Sequence, residues 1–435
     1  MTYDEALTYL DSLNTFGIRL GLDRITRLLA LMGNPEGSYK TVHVTGTNGK
    51  GSTTATLAAI LHSAGVRAGM YTSPHLLDYT ERIKIDQTEV TRADFAAAIS
   101  FTKQCATELV SEGGESPTQF EVLTAAAFYH FALRKVEYAV IEVGLGGLLD
   151  STNVIVPEIS IITNVALDHA DRCGGTLQAI AEQKAGIIKP GIPVITAADE
   201  AVLPVIRTKA ASARASLAVL GQQFSACLES LNAGGQVISI KTQLYGQVGP
   251  ARLKLLGRHQ IANGALAVMA ALHLGQRDER ITAAAIEQGL AGVVWPGRFE
   301  VIPGQPPIVL DGAHNPAGAR VLRAALDEIF PGRSMVFLLG ILQDKDIGGI
   351  VSSLIRPADA VVVAAPESER AAEPQLVAKL IKARRTEMAA SIEEGIHKAR
   401  RLAEQDGVIC IAGSLYLIGY ARAIINNRQT NYGQV

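Results

Sequence analysis

A glycine-rich segment near the start of the chain contains the residue types that bind phosphate groups. In TGTNGKGST, residues 45–53, the three glycines Gly46, Gly49 and Gly51 allow backbone N–H groups to approach phosphate oxygens closely. Lys50 adds a positive charge that could reach the terminal phosphates of a nucleotide. A β-branched run precedes the segment and a helical pattern follows it, which is the context that a phosphate loop requires. The segment therefore predicts a nucleotide-binding loop, and the alternative is a glycine-rich connector with a solvated lysine.

The segment departs from the common phosphate-loop pattern at two positions. The pattern G-x-x-x-x-G-K-[ST] would need glycine at position 44 and a hydroxyl at position 51, but the chain has Val44 and Gly51. Ser52 and Thr53 follow directly, and either hydroxyl could contact phosphate or a metal ion from the first turn of the next helix. We interpret the segment as a variant loop in which Ser52 supplies the missing hydroxyl.

Two other segments place metal-binding residue types after apolar strands. Glu142, in IEVGLGG, lies at the carboxyl end of a strand, where open parallel sheets place ligand-binding groups. A buried carboxylate there needs a partner, and a divalent cation supplies one. Asp168, His169 and Asp171, in TNVALDHADRCGG, follow another strand and suit a metal site. The alternatives are an acid paired with a basic residue and a structural histidine.

Three further positions are weaker candidates. Ser73, in TSPHL, could offer an oxygen to magnesium and His75 could contact a substrate, although such a segment is also an ordinary turn. Lys184, in AEQKAGI, is expected early in a short helix, where a lysine is usually a solvated surface residue.

The second half of the chain has polar residues at a helix start and on a presumed linker. GRHQIANGAL places His259, Gln260 and Asn263 at the start of a helix, where they could contact the edge of a base or cap the helix. Arg298, in WPGRFE, lies on the segment expected to join two domains.

A last group of polar residues follows the strand-like start of LDGAHNP. Asp311 could accept hydrogen bonds from ribose hydroxyls, and His314 and Asn315 could meet a transferred group. Strand ends and linkers are the places where an interdomain cleft would form, so these residues and the phosphate loop are expected to line one cleft.

The elements around these residues predict an α/β fold. Residues 1–33 have helical patterns, and β-branched strands alternate with helical patterns through TVHVTG, RAGMYTS, EYAVIEVG, EISIITNV and IPVITA, as in a parallel sheet with crossover helices. Between residues 220 and 256, QVISIKTQ and ARLKLLG suggest a small antiparallel addition. VWPGRFEVIPGQPP, rich in proline and glycine, marks a boundary. Four more strand-like segments follow, so we expect a smaller α/β domain from about residue 298 to the end.

Composition and charge limit the possible classes of protein. The 435 residues are too many for one ordinary core, and 48% hydrophobic with 19% charged residues is typical of soluble globular proteins. The formal charge of −2 gives no basic field for nucleic acid or an anionic membrane. The cysteines, which form no C-x-x-C pair and so favour a reducing compartment, are Cys105, Cys173, Cys227 and Cys410. Since signal-peptide and membrane-spanning patterns are also missing, we expect a cytoplasmic protein.

Taken in order, these motifs resemble those of the folylpolyglutamate synthase and dihydrofolate synthase family, within the wider Mur ligase superfamily. The resemblance runs almost end to end through LGLDRI, HVTGTNGKGST, YTSPHL, ERIKI, FEVLTAAAF, EVGLGG, LDH, EQKAGI, GRHQIANGAL, PGRFE, LDGAHNP, DKD and GSLYLIGYAR. GTNGKGS, with Gly51 before Ser52, is that family's own form of the loop. The resemblance implies a phosphate-loop, ATP-binding, parallel-sheet domain over residues 1–297 and a smaller Rossmann-like domain over residues 298–435.

The resemblance also implies roles for residues at matching positions. The phosphates would be held by Gly46, Thr47, Asn48, Gly49, Lys50, Gly51 and Ser52. Asn263 would lie near adenine, Arg298 near the phosphates and Asp311 near the ribose, and His314 would line the reaction cleft.

Magnesium is the implied metal. Ser73, Glu142 and His169 would hold one Mg²⁺ ion. In relatives the lysine matching Lys184 is often carbamylated, which turns a cation into a carboxylate-like group that helps to hold a second ion.

The activity implied is ATP-driven addition of L-glutamate to dihydropteroate, to the last glutamate of a folate, or to both, through an acyl phosphate. The expected partners are small molecules only, and the protein is expected to be a monomer.

A Mur-type ligase acting on a cell-wall precursor is the first alternative function, although no separate UDP-binding domain is expected before the loop. A phosphate-loop switch or kinase-like protein is the second, and it leaves the second domain unexplained.

The chain departs from the family pattern at several positions. Cys173 takes a position that is usually filled by a larger apolar residue, and Gln183 precedes Lys184 where glutamate is usual. One motif near the expected metal site also differs. The family commonly reads GGRLDATN, whereas Leu148 stands here in place of the arginine and Ser151 in place of the alanine. The change bears on local loop packing or on a substrate contact, while the phosphate-loop and metal positions match.

Overall fold

The computed structural model describes residues 1–13, 19–167, 175–403 and 405–432. The helices in these ranges are α1 (Tyr3–Ser12), α2 (Asp23–Leu31), α3 (Lys50–Ser63), α4 (Arg92–Ser111), α5 (Gln119–Leu133), α6 (Leu177–Ala185), α7 (Leu203–Ser212), α8 (Arg258–Leu274), α9 (Ala283–Gly292), α10 (Pro316–Ile329), α11 (Ile347–Leu354), α12 (Pro374–Leu380), α13 (Ile392–Ala403) and α14 (Leu415–Tyr432). Short 3₁₀ helices lie at Pro35–Gly37, Tyr79–Arg82 and Ser151–Val154. Each helix of the described ranges is too short or too polar to cross a membrane.

The strands of the described ranges form three sheets. They are β1 (Lys40–Thr45), β2 (Ala68–Tyr71), β3 (Ile83–Ile85), β4 (Thr88–Glu89), β5 (Tyr138–Glu142), β6 (Ile159–Ile162), β7 (Val194–Thr196), β8 (Leu217–Val219), β9 (Phe224–Asn232), β10 (Gly235–Thr242), β11 (Gly246–Leu253), β12 (Glu300–Ile302), β13 (Ile308–Asp311), β14 (Met335–Leu339), β15 (Ala360–Val363), β16 (Arg385–Met388) and β17 (Val408–Ala412).

The largest sheet carries the phosphate loop. Its order is β4-β3-β2-β5-β1-β6-β7-β8. The six neighbouring strands β2-β5-β1-β6-β7-β8 pair in parallel, whereas β3 and β4 form an antiparallel edge. All residues of β5 and β6 are buried, as expected for apolar strands whose two faces are both covered by helices. The predicted parallel sheet is confirmed, and it brings the carboxyl ends of β1, β2, β5 and β6 to one edge.

The antiparallel addition predicted between residues 220 and 256 has three strands in the order β11-β10-β9. The two strand-like segments noted in the sequence correspond to β10 and to the end of β11. β9 was not predicted, because polar residues interrupt the apolar ones in its sequence FSACLESLN and most of its positions are not buried. A strand exposed in this way lacks the apolar run from which strands are recognised.

The third sheet belongs to the smaller α/β domain. Its order is β12-β13-β17-β14-β15-β16, with β12 antiparallel to β13 and the other pairs parallel. The four predicted strands correspond to β13, β14, β15 and β17. Two edge strands were missed: β12 lies inside the segment rich in proline and glycine, and β16 has the polar sequence RTEM. The predicted fold class, a large parallel-sheet domain followed by a smaller α/β domain, is confirmed.

Candidate active site

The phosphate loop connects β1 to α3 with the strand, turn and helix order that the sequence predicts. Gly46 and Gly49 have φ values of 153° and 83°, which side chains disfavour, and Gly49 is the N-cap of α3. A Cβ at Gly46 would also overlap the hydroxyl of Thr163. Nζ of Lys50 donates hydrogen bonds to the carbonyl oxygens of Gly46, at 3.0 Å, and Thr47, at 3.2 Å, so the ammonium lies over the loop.

Residues that follow β6 hold this loop from outside. The backbone N–H of Thr47 donates to the carbonyl oxygen of Asn164 at 3.0 Å, and that of Asn48 donates to Oδ1 of Asn164 at 2.9 Å. The carbonyl oxygen of Asn48 accepts from Nδ2 of Asn164 at 2.9 Å and from the hydroxyl of Thr163 at 2.6 Å. Asn164 was not predicted as part of the site, although its place two residues after the apolar strand β6 was a signal for such a role.

Hydroxyl groups line the first turn of α3. Ser52 is 4% exposed, and its carbonyl oxygen accepts a hydrogen bond from Thr56 at 2.7 Å. The buried hydroxyls of Thr53 and Thr54 have no partner among the described residues. Hydroxyl oxygens are therefore present directly after Gly51, as expected if Ser52 supplies the hydroxyl that the loop lacks at position 51.

The carboxyl group of Glu142 is buried beside the phosphate loop and among cations. Glu142 ends β5 and is 4% exposed, and its Oε2 accepts a hydrogen bond from the backbone N–H of Ser73 at 3.2 Å. Burial raises the pKa of Glu142 to about 7, although the positive charges of Lys50, Arg298 and Arg82 act in the opposite direction. The two predicted ligands Ser73 and Glu142 therefore meet.

These donors fit a magnesium ion. The buried Glu142 carboxyl is costly to ionise, and a divalent cation at its oxygen would offset that cost. The hydroxyl of Ser73 belongs to the oxygen chemistry that Mg²⁺ prefers. His169, the third predicted ligand, lies outside the described residues together with Asp168 and Asp171. Within the described ranges, three or more histidine, cysteine, aspartate or glutamate side chains do not come together as a metal site.

The TSPHL loop after β2 also brings Arg82 to the site. Nε of Arg82 donates to Nδ1 of His75 at 2.9 Å, and the His75 ring lies 4.3 Å from that of Tyr79. Burial, together with the charge of Arg82, lowers the pKa of His75 to about 3, so its imidazole is neutral. Arg82 lies in the ERIKI motif, for which no role was predicted from the sequence.

A single carboxylate fixes the backbone of this loop. Glu81 accepts hydrogen bonds from the backbone N–H groups of Leu76 at 2.7 Å, Leu77 at 2.9 Å and Asp78 at 2.9 Å. These three hydrogen bonds therefore constrain the backbone of the loop shortly after Ser73.

The expected place of Lys184 early in its helix was wrong, and the alternative of a solvated surface lysine does not hold. Lys184 is the last residue but one of α6, not an early one, because Thr176 caps the helix start through the N–H of Ala179 and Gly186 ends the helix. Its side chain is 5% exposed rather than solvated. The loop after β5 packs against the backbone of this helix, since a Cβ at Gly147 would stand 3.2 Å from the Cα of Lys184.

Asn263 and Gln260 lie beside the phosphate loop. Nδ2 of Asn263 donates to Oε1 of Gln260 at 2.9 Å, and a Cβ at Gly49 would overlap Oδ1 of Asn263. Capping does not explain these residues, because the N-cap of α8 is Gly257, without a side-chain cap bond. The expected contact with adenine stays a prediction.

Asp311 ends β13 and binds backbone N–H groups with both carboxylate oxygens. Its Oδ2 accepts from Phe299 and its Oδ1 from Ala313, each at 2.8 Å. Burial raises the pKa of Asp311, whereas the nearby charge of Arg298 lowers it. Asp311 therefore fixes the linker that carries Arg298, and its contact with a ribose stays a prediction.

His314 and Asn315, which follow Asp311, make different local contacts. Nδ1 of His314 donates to the carbonyl oxygen of Gly312 at 2.7 Å. Asn315 is the N-cap of α10, and its side chain accepts from the N–H of Gly318 at 2.7 Å. The expectation that Asn315 meets a transferred group has no support in this capping geometry.

Comparisons with known proteins agree with this fold. The Mur ligase middle domain matches residues 44–272, and the Mur ligase glutamate ligase domain matches residues 297–415. The folylpolyglutamate synthase of Lacticaseibacillus casei is 36% identical over 97% of this chain and 98% of its own. The dihydrofolate synthase/folylpolyglutamate synthase of Bacillus subtilis is 34% identical, with the same two coverages.

A solved structure gives the same result. Mycobacterium tuberculosis folylpolyglutamate synthase, complexed with ADP, superimposes with a TM-score of 0.89 at 32% identity, covering 97% of this chain and 98% of that one. Two Mur ligase domains in sequence, around a phosphate loop, define the class of protein. The chain belongs to the folylpolyglutamate synthase and dihydrofolate synthase family of Mur ligases.

Proposed function

We propose that the chain is an ATP-dependent carboxylate–amine ligase that adds L-glutamate to dihydropteroate, to the terminal glutamate of a folate, or to both. The observation that carries the proposal is the buried Glu142 carboxyl, which lies among Lys50, Arg82 and Arg298 beside the phosphate loop. Such a site can accept polyanions. The relatives named above support a folate substrate over a cell-wall precursor.

The reaction has two steps. A carboxylate oxygen of the acceptor substrate attacks the γ-phosphorus of ATP, the bond to the bridging oxygen breaks, and ADP leaves. The amino group of glutamate then attacks the acyl phosphate, an amide forms, and inorganic phosphate and a proton are released. Lys50 and Arg298 offset the negative charge that keeps a carboxylate away from ATP. A covalent enzyme nucleophile is not needed.

Nucleotide binding is assigned to the loop and its neighbours. The phosphates would be bound by Gly46, Thr47, Asn48, Gly49, Lys50, Gly51 and Ser52. Asn263 would approach adenine, Asp311 the ribose and Arg298 the phosphates, and His314 would line the reaction cleft between residues 1–297 and residues 298–435. The contacts of Asn263 with Gly49 and of Asp311 with the linker support a position beside the nucleotide.

Magnesium would be held by Ser73 and Glu142, with His169 as a third ligand. When bound, Mg²⁺ offsets phosphate charge and polarises the transferred phosphoryl group. We propose a second ion beside a carbamylated Lys184. Burial of the Lys184 side chain supports this, because an ammonium group is costly to bury and carbamylation replaces it with an anion that a metal can neutralise.

We further propose a cytoplasmic monomer whose partners are small molecules, namely ATP, L-glutamate and a pterin acceptor. A formal charge of −2 supports the expectation that nucleic acid is not bound. Cys105, Cys227 and Cys410 are free thiols, which suits a reducing compartment.

One experiment tests the function and identifies the acceptor. The protein is incubated with ATP, Mg²⁺ and L-glutamate, and with either dihydropteroate or a reduced folate. Mass spectrometry is expected to show an acceptor that gains one or more glutamates, with one ADP released for each addition. ATP hydrolysis that is independent of both acceptors and adds no glutamate would contradict the proposal.

A further inference from the structure

The ring of Trp295 packs directly on the phosphate loop. Trp295 is the single tryptophan of the chain, and it lies between α9 and Arg298. The ring is partly buried against the core that contains α3 and α8. Its Nε1 atom is shielded from solvent and has no hydrogen-bond partner among the described residues. Trp295 is part of the segment that leads to the second domain, so its ring joins that segment to the phosphate loop.

Gly51 is glycine because of this ring and not because of its backbone. Gly51 is the second residue of α3, where alanine is normally favoured over glycine by about 1 kcal/mol. A Cβ at this position would stand 2.6 Å from Cζ2 and 3.1 Å from Nε1 of Trp295. Serine or threonine, which the common loop pattern requires, would meet the same obstacle. The contact accounts for glycine, in place of serine or threonine, at one of the two positions where this loop departs from the common pattern.

The segment after Trp295 has a fixed path that continues the contact. Gly297 has a φ of 70° and Phe299 a φ of 46°, and the second value is uncommon for a residue with a side chain. The backbone N–H of Gly297 donates to Glu300 at 2.8 Å, and its carbonyl oxygen accepts from Gly312 at 2.9 Å. The backbone that leads from Trp295 to Arg298 is therefore constrained by these hydrogen bonds and by its left-handed residues.

We propose that Trp295 is a positioning residue that couples the phosphate loop to the linker carrying Arg298. The inference rests on the proposed function, because it takes residues 46–52 to be the site of the ATP phosphates. A bound phosphate competes with the carbonyl oxygens of Gly46 and Thr47 for the Lys50 ammonium. Since Lys50 directly precedes Gly51, any adjustment of this first turn reaches the indole. Movement of the linker reaches the loop by the same contact.

The emission of the indole gives a direct test that needs no variant. Because the chain has one tryptophan, selectively excited emission reports on Trp295 alone. Saturating ADP is expected to change its intensity or wavelength, while calorimetry measures ADP binding independently. Binding of ADP without a change in emission would overturn the inference. If ADP does not bind at all, the proposed function fails and the inference fails with it.

A double-mutant cycle measures the contact itself. We expect Gly51→Ala to weaken ADP binding about tenfold, whereas the same substitution in a Trp295→Ala background weakens it less than about threefold. In that background the new methyl group occupies the space that the indole leaves. Losses that add independently in the double variant would overturn the inference.

Two further variants separate positioning from general structural damage. Trp295→Phe keeps a flat ring over Gly51 and is expected to retain ADP affinity within about threefold, whereas Trp295→Ala loses about tenfold. Equal losses in the two variants would count against the inference. Gly292→Ala is the matched control at the end of α9, since a Cβ there has no neighbour within 4 Å, and ADP binding should be unchanged.

Discussion

The carbonyl oxygen of Leu76 lies against Gly419 of α14, so close that a Cβ at Gly419 would stand 2.5 Å from it. Leu76 belongs to the TSPHL loop, three residues after Ser73, and its side chain packs in the core of the smaller domain with Ile418. Gly297 of the linker adjoins the same two side chains. The loop that presents Ser73 is thus attached to the second domain, and the geometry of the candidate metal site depends on how the two domains meet.

Gly419→Ala is expected to destabilise this junction. A methyl group cannot fit against a backbone carbonyl, so the helix must move, and we expect a loss of about 1–3 kcal/mol in the free energy of unfolding. Glutamate addition should fall with it. Thermal unfolding and product formation measure the two effects. Gly348→Ala in α11, where the nearest atom to a Cβ is 3.9 Å away, should leave both unchanged. If Gly419→Ala has the wild-type stability and rate of product formation, the contact between Leu76 and Gly419 does not contribute to either.

Asp311→Asn should weaken the hydrogen bonds that hold the linker and so destabilise the protein, even though the side chain keeps its shape. Both carboxylate oxygens accept backbone N–H groups, from Phe299 and Ala313, so the new amide must direct an NH₂ group at one of these donors. We expect a cost of about 1–3 kcal/mol in the free energy of unfolding, measured in denaturant. The exposed Asp4→Asn on α1 is the control and should be neutral. Equal stability of the two variants would contradict the structural role given to Asp311.

Lys50→Ala should abolish the glutamate- and acceptor-dependent release of ADP. The substitution removes the ammonium that binds the loop carbonyls of Gly46 and Thr47 and that offsets phosphate charge. The rate should fall about 100-fold or more, as it does when one electrostatic donor is lost from other active sites. A coupled ADP assay measures the rate. Lys254→Ala, at an exposed side chain shortly before α8, should keep full activity. Unchanged turnover in Lys50→Ala would refute the assignment of the loop.

The sequence predicted those parts of the site whose chemistry is encoded locally. The phosphate loop follows from three glycines and Lys50 between a strand and a helix, and the position of Glu142 follows from the apolar run that it ends. Both are features of a few consecutive residues. The alternation of strands and helices also predicted the two-domain α/β fold, because the period of each element is set by its own residues.

The parts that the sequence did not predict depend on residues far apart in the chain. The burial of Lys184 was not predicted, because it depends on elements that meet only in the fold, such as the loop at Gly147 that packs against its helix, and periodicity does not reveal such contacts. The contact between Gly51 and Trp295 likewise forms only when the linker folds back on α3. Exposed strands such as β9 lack an apolar pattern, so their pairing is set by neighbouring strands and not by their own composition.

A buried chain of hydrogen bonds connects β1 to the loop after Glu142 and makes stability depend on pH. Thr152 donates its hydroxyl hydrogen to Asp150, so Nε2 of His43 must donate to the Thr152 oxygen, at 2.9 Å. Nδ1 of His43 is buried without a partner in the described part of the chain. Burial, reinforced by the charge of Lys189, lowers the pKa of His43 to about 3.

The sign of the effect follows from the two pKa values of His43. In the unfolded chain the pKa of histidine is about 6.5, so between about pH 6.5 and about pH 3 the unfolded state binds a proton that the native state does not. The stability contributed by the neutral, buried His43 is therefore fully present above about pH 6.5 and is lost as the pH falls toward about 3. Between about pH 7.5 and about pH 5 we expect His43 alone to remove about 2 kcal/mol from the free energy of unfolding.

Urea unfolding at these two pH values, in wild type and in His43→Gln, measures this contribution. Glutamine can still donate to Thr152 but does not titrate, so the pH-dependent loss of stability should be about 2 kcal/mol smaller in the variant. His62→Gln, at the exposed end of α3, is the matched control and should keep the wild-type dependence. If His43→Gln loses as much stability as wild type at low pH, the native state accepts a proton at His43 and the buried chain is not fixed as described.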